Sequence, residues 1–296
     1  MTVDVDITGA TLSQGGLNQP ILSWRSLPSD PAHAQETLII CSAFLALWTF
    51  LFFVGCYHHP MPSYYEKKMS KYDKLIWRFR VINSYHGFSA TVLSIYWYYA
   101  YFSSEYTRKN TTYELIMLAN TGAYLTMDTV FMWAEGFLDM GNLIHHFFGV
   151  SVYYAIAYCG YDYTFMAMHL LPGEFSNVAM HFREIFKRMG MRYTKWYYLN
   201  DFTYYFEYLI CRVFWIPSIY YFIFTCPTSN PVSLIIYPMH VTMSWYYCSN
   251  IPPMIVQRYR EYTKITAAGV KINWVEPVSE DVLKKIGVST YERYHT

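Results

Sequence analysis

Seven stretches of mainly apolar residues punctuate this chain, at roughly 36 to 57, 84 to 102, 112 to 134, 142 to 160, 162 to 182, 202 to 225 and 231 to 255. Each approaches the ~20 residues that a helix needs to cross a hydrocarbon layer. Composition agrees: 54% of residues are hydrophobic and 21% aromatic, while 15% are charged, against about 25% in an ordinary soluble domain. The expectation is an all-α integral membrane protein with seven transmembrane helices.

Basic residues should gather beside the inner face of such a protein. Lys67, Lys68, Lys71, Lys74, Arg78 and Arg80 fall in the loop 58 to 83. Arg183, Lys187, Arg188, Arg192 and Lys195 fall in the loop 183 to 201, and Arg258, Arg260 and Lys264 open the tail. Seven spans put all three segments on one side, leaving Arg25, Arg108 and Lys109 opposite. The N-terminus is therefore expected outside and the C-terminus inside. Residues 1 to 35 lack the charged start and adjoining apolar run of a secretory signal, carry Asp4 and Asp6, and read as a polar arm. Residues 256 to 296 read as a soluble tail in which "SEDVLKKIG" forms a short helix capped by Ser279 and closed by Gly287. Asn110-Thr111-Thr112 is a formal glycosylation acceptor on the outer side. A net charge of +1 argues against a nucleic-acid partner, which would need clustered positive charge. The six cysteines have neither disulfide nor zinc spacing.

Ionisable residues at membrane depth need a partner or a purpose, and here they form a layer. Counting 1.5 Å per residue from the turn near Tyr161 sets His146 level with Ser176 and brings Glu174 within about half a turn. By the same reckoning His86, Asp128, His145, His146, Glu174, Glu207 and Arg212 all fall in the inner half, against the edge residues Glu114 and Asp162 in the outer half. One reading is a polar chamber opening inward, in which a carboxylate tunes a histidine as general base. The other is that these groups pair with one another to satisfy a bundle, with Glu207 the first candidate partner for Arg212. His145 and His146, as helix neighbours, point about 100° apart, and neither has a second His or Cys at the i, i+4 spacing of a metal pair. No metal site is expected. His169 and His240 fall near mid-membrane and read as satisfied core histidines. Pro172 and Gly173 make a helix defect just before Glu174, which frees carbonyls that must find other donors.

With "FRVINSYHGF" opening the second span, "YLTMDTVFMW" in the third, "NLIHHFFGV" opening the fourth and "LPGEFSNVAMHFREI" in the fifth, the chain resembles the TLC domain family. That family includes translocation-associated membrane proteins, ceramide synthases and a neuronal-lipofuscinosis protein. The resemblance covers roughly residues 75 to 255. It implies one preliminary span, 36 to 57, followed by a six-helix antiparallel barrel around a lipid-accessible cavity. Ceramide synthases of the family transfer an acyl chain from coenzyme A using the paired histidines with aspartates on the following helix. Here no Asp occurs between Asp162 and Asp201, and Glu174 stands in that place, so the chain looks more like the non-synthase branch.

The leading expectation is a protein that binds, senses or moves membrane lipid. Its cavity would be bordered by His86, Asp128, His145, His146, Glu174, Ser176, Glu207 and Arg212, with no cofactor required. An enzymatic alternative makes His145 or His146 the base and Glu174 or Asp128 the orienting carboxylate, with acyl-CoA as donor. A third reading is a structural subunit of a large membrane complex, respiratory among the candidates. The endoplasmic reticulum and the mitochondrial inner membrane both suit the topology.

Overall fold

Thr111 starts a long helix through a capping box: its hydroxyl accepts from Glu114 N while the Glu114 carboxylate accepts from Thr111 N. Ser70, Asp139 and Thr194 cap three more helices, each side-chain oxygen accepting from the amide three residues on. Such caps satisfy donors that every helix start leaves open. The computed structural model describes residues 31–103, 108–161, 163–226 and 231–288. Most of the polar arm with Arg25, the outer-edge Asp162 and the end of the tail lie outside the described residues.

Within those residues the chain is all-α. The helices are α1 Pro31–His58, α2 Ser63–Glu66, α3 Lys71–Ala100, α4 Thr112–Ala134 and α5 Met140–Cys159. They continue with α6 Tyr163–Arg188, α7 Lys195–Thr225, α8 Pro231–Cys248, α9 Ile251–Ala267 and α10 Glu280–Lys285. By length and composition α1 and α7 are apolar enough to cross a membrane, at mean hydropathies of 2.4 and 1.4.

Several expected boundaries move: the first stretch begins at Pro31 and the fifth runs on to Arg188. The stretch begun at 84 starts at Lys71 and the one begun at 202 starts at Lys195, because the Ser70 and Thr194 caps lie ahead of the apolar runs. The last stretch does not reach 255: α8 stops at Cys248 and α9 restarts at Ile251. Pro252 and Pro253 supply no amide to bond back across that join, so they suit a first turn and not a helix interior.

Neighbouring helices pack as a closed ring in the order α3, α4, α5, α8, α7, α6 and back to α3, with α1 outside against α4. The α3–α6 seam is the most extensive and the α5–α8 seam the loosest. Side-chain pairings fix the antiparallel sense. Along α3 and α6, Arg188 meets Asp73 at 2.7 Å, a Cβ at Gly87 would press on Val178 at 3.0 Å, and Tyr98 Oη reaches Met168 O at 3.4 Å. Gly87 is thus where the two backbones come close. Between α4 and α5, Thr129 Oγ1 contacts His146 Nδ1 at 2.8 Å, and Gly149 packs on Leu125. α1 runs parallel to α4, joined by Thr112 to Glu36 at 2.8 Å, Trp48 to Asn120 at 3.0 Å and Tyr57 to Glu135.

Both basic loops and the start of the tail gather at one end of the ring. There Arg78 donates to the carbonyls of Tyr57 and His59, Arg188 holds Asp73, and Asp201 bridges Arg183 at 2.6 Å and Arg258 at 2.9 Å. At the other end Glu114 is fully buried and takes Arg108, Trp97 and Thr111 as partners. Asn110 is also consumed there: Nδ2 donates to Ile156 O and Oδ1 accepts from Tyr163 N, each at 3.2 Å. Its amide is a structural clasp between the α3–α4 and α5–α6 turns. In the tail, Leu283 and Val288 pack with Tyr193, Ile265 and Ile272. Gly287 takes the left-handed φ of 63° expected after α10, while Ser279 sits at the cap position without a side-chain bond.

Candidate functional site: a polar-walled cavity inside the ring

A cavity opens where α5, α6, α7 and α8 converge, beside the loosest seam. His145, Phe148, Val152 and Tyr153 come from α5, Met166, His169, Glu174 and Asn177 from α6, Arg212 from α7, and Tyr237, Met239, His240 and Met243 from α8. The space open to water centres is about 70 Å³. Since one water needs roughly 10–15 Å³ on that measure, the closed cavity holds a few waters or one small polar group. A larger guest would have to part the α5–α8 seam.

The polar wall is a continuous chain of contacts. His86 of α3 is 1% exposed, with Nδ1 3.2 Å from Glu174 Oε2 and Nε2 3.3 Å from Thr121 Oγ1. Its ring stacks on Tyr124 with centroids 3.7 Å apart. Glu174 Oε2 also accepts from Asn177 Nδ2 at 3.4 Å, and Asn177 Oδ1 accepts from Arg212 Nη2 at 3.0 Å. Arg212 further donates Nη2 to Gly173 O at 2.8 Å and Nε to Ser176 Oγ at 3.2 Å, and lies over the Tyr208 ring. Among the described residues Nη1 of Arg212 has no hydrogen bond, and the residue lines the cavity.

Local backbone breaks place these groups. Pro172 lacks an amide, so Met168 O loses its helical donor. Trp215 Nε1 at 3.2 Å and Tyr98 Oη at 3.4 Å take over that carbonyl. On α7, residues Ile210–Trp215 form a π-helical turn just before Pro217, the kind of insertion found where a side chain is re-aimed. That turn presents Arg212 and Trp215 to α6 together. Arg212 thus has the carbonyl partner expected of it, but Glu207 is not a partner. At i, i+5 the two side chains diverge by about 140° on a regular helix, and Glu207 has no ion pair among the described residues.

The eight expected cavity residues divide accordingly. His145, Glu174 and Arg212 line the cavity. His86 and Ser176 lie one layer behind, fully buried, supporting Glu174 and Arg212. His146 and Asp128 face each other at 3.5 Å, with Asn83 Nδ2 on Asp128 at 3.4 Å, and belong to the α4–α5 packing. Glu207 is outside the wall. Sequence reasoning missed Asn177 and Tyr237, and read His169 and His240 as satisfied core histidines. His169 is satisfied by Tyr237 Oη at 2.9 Å, but Nε2 of His240 is buried with no partner among the described residues, so it is not the satisfied core histidine expected. The rings of His169, His240 and His145 follow one another at 4.5 and 5.5 Å between centroids. The signal for them was their cost: an imidazole in mid-span is expensive unless used.

No protein-family model matches this chain, and no curated protein matches it either.

Proposed function

We propose that the chain is a seven-span membrane protein of TLC-like build whose ring holds part of a lipid, entering between α5 and α8. The observation that carries this reading is the cavity itself: its charged groups, Glu174 and Arg212, come from α6 and α7, its α5 and α8 side mixes the apolar Phe148, Val152, Met239 and Met243 with His145 and His240, and it is set at the loosest seam of a six-helix ring with α1 outside it. Acyl chain would lie against Phe148, Val152, Met239 and Met243. An acceptor oxygen of the head group or ester would meet Arg212 Nη1, His145 and His240. Collection of the basic loops at one end of the ring supports an inward-facing end, in the endoplasmic reticulum or the inner mitochondrial membrane.

Holding lipid is favoured over acyl transfer because His146, which has Asp128 at 3.5 Å, does not line the cavity, while His145 inside it lies against the ring of His240 with no carboxylate ion pair among the described residues. A fixed role in a larger complex is compatible with the same lipid. The test is native mass spectrometry of the protein extracted in mild detergent. Wild type should retain a stoichiometric lipid that is lost when His145→Ala is combined with Met243→Trp to fill the cavity. Equal lipid content in both proteins contradicts the proposal, and release of a newly acylated lipid would transfer the case to the enzymatic reading.

A further inference from the structure

A second pocket, separate from the ring cavity, lies at the basic end. Three distant segments build it: Tyr64, Tyr65, Lys68 and Asp73 around α2 and the start of α3, Lys187 to Tyr193 at the end of α6 and just beyond it, and Pro277 to Lys284 in the tail. It opens about 740 Å³ to water centres, some ten times the space inside the ring. Its cations are Lys68, Lys187, Arg188, Arg192 and Lys284, and its acids Asp73 and Glu280.

The five cations fall into two groups. Arg188 is held by Asp73 at 2.7 Å and Glu184 at 3.1 Å, Lys187 by Glu184 at 3.1 Å, and Arg192 by Glu261 at 2.9 Å. They form a fixed floor. Lys68 and Lys284 are exposed and stand on the rim. Lys68 Nζ contacts a neutral group, Tyr64 Oη, at 2.6 Å and lies over that ring, and Lys284 has no carboxylate partner among the described residues. Two ammonium groups outside ion-pair distance of any carboxylate among the described residues, one of them beside the Tyr64 hydroxyl, suit a compact anion with several acceptor oxygens, for which lysine serves as a point-charge binder.

We infer that this pocket binds a phosphate group, using Lys68 and Lys284 as its two exposed cations. The phosphate belongs either to an anionic phospholipid head group or to a soluble phosphate compound. The first source rests on the seven-span reading, which sets this end at a membrane surface where basic pockets select anionic lipids; the second does not.

The test uses the full chain in nanodiscs of phosphatidylcholine, with either phosphatidylglycerol added to the bilayer or inorganic phosphate added to the buffer at constant ionic strength. Binding is read as lipid retention in native mass spectra and as phosphate-dependent thermal stabilisation. Replacing Lys68 and Lys284 by Gln should weaken binding roughly thirtyfold, at about a factor of five per cation. Lys67→Gln with Lys71→Gln removes the same charge from exposed neighbouring sites and should stay within about threefold of wild type. Sensitivity confined to phosphatidylglycerol identifies the lipid source, and sensitivity confined to inorganic phosphate the soluble one. Binding of neither probe, a pocket variant that binds like wild type, or equal loss in the control variant overturns the inference. The cavity lipid is measured separately, so either result leaves that proposal standing or falling by itself.

Discussion

Two histidines adjacent in sequence do different work because a helix turns about 100° between them. His145 borders the cavity and touches the ring of His240, whereas His146 is 6% exposed and tied to Thr129 and Asp128. His146→Ala should therefore cost about 1–3 kcal/mol, seen as a lower unfolding midpoint in detergent, with lipid retention normal at temperatures where it is folded. His145→Ala should show the reverse, an unchanged midpoint with weaker retention. A destabilised His145→Ala protein beside an unaffected His146→Ala one would reverse the assignment. Counting from one turn gives the position of both residues along α5. It does not give their azimuth, which depends on how α5 is rotated against α4 and α8. For the same reason counting could not tell that Asp128 and Ser176 are absent from the cavity lining.

At the scale of an element, the helix breaks were readable and their consequences were not. Pro172 announces a freed carbonyl, but nothing local says that Trp215, more than forty residues on, supplies the donor. Trp215→Phe should cost about 0.5–1.5 kcal/mol in wild type and close to nothing in a Pro172→Ala background, where the substituted alanine gives Met168 O its helical amide back. A double-mutant cycle on thermal midpoints measures the difference; equal costs in both backgrounds would mean that the indole bond does not compensate the defect. The end of α6 makes a pH prediction. Burial works to raise the Glu184 carboxyl, yet Lys187, Arg80 and Arg188 around it outweigh that and hold it down to about 2. A carboxyl depressed from an ordinary value of 4.5 contributes stability that is fully present above pH 4.5 and lost as pH falls toward 2. Glu184→Gln should therefore lower stability at pH 7 by on the order of 2 kcal/mol, and the gap from wild type should close by pH 2. A gap that persists undiminished at that pH would assign the loss to packing.

Six helices form a ring whose order, α3, α4, α5, α8, α7, α6, departs from chain order at two seams. α8 returns beside α5, and α3 closes against α6. Apolar stretches and basic loops made the helices and their up-and-down sense legible, because both follow from residue type along one segment. The closure was reached through resemblance alone, since it depends on which faces fit, as at Gly87 against Val178. That closure creates both the cavity and its weakest wall, and the central claim is that lipid occupies the one through the other. A side-chain-resolution density map of the protein in a native-lipid nanodisc tests it most directly. Elongated density passing between α5 and α8, with its polar end within hydrogen-bonding reach of Arg212 Nη1 and His145, is the predicted result. A sealed α5–α8 seam with only water or protein side chains against Arg212 would contradict it.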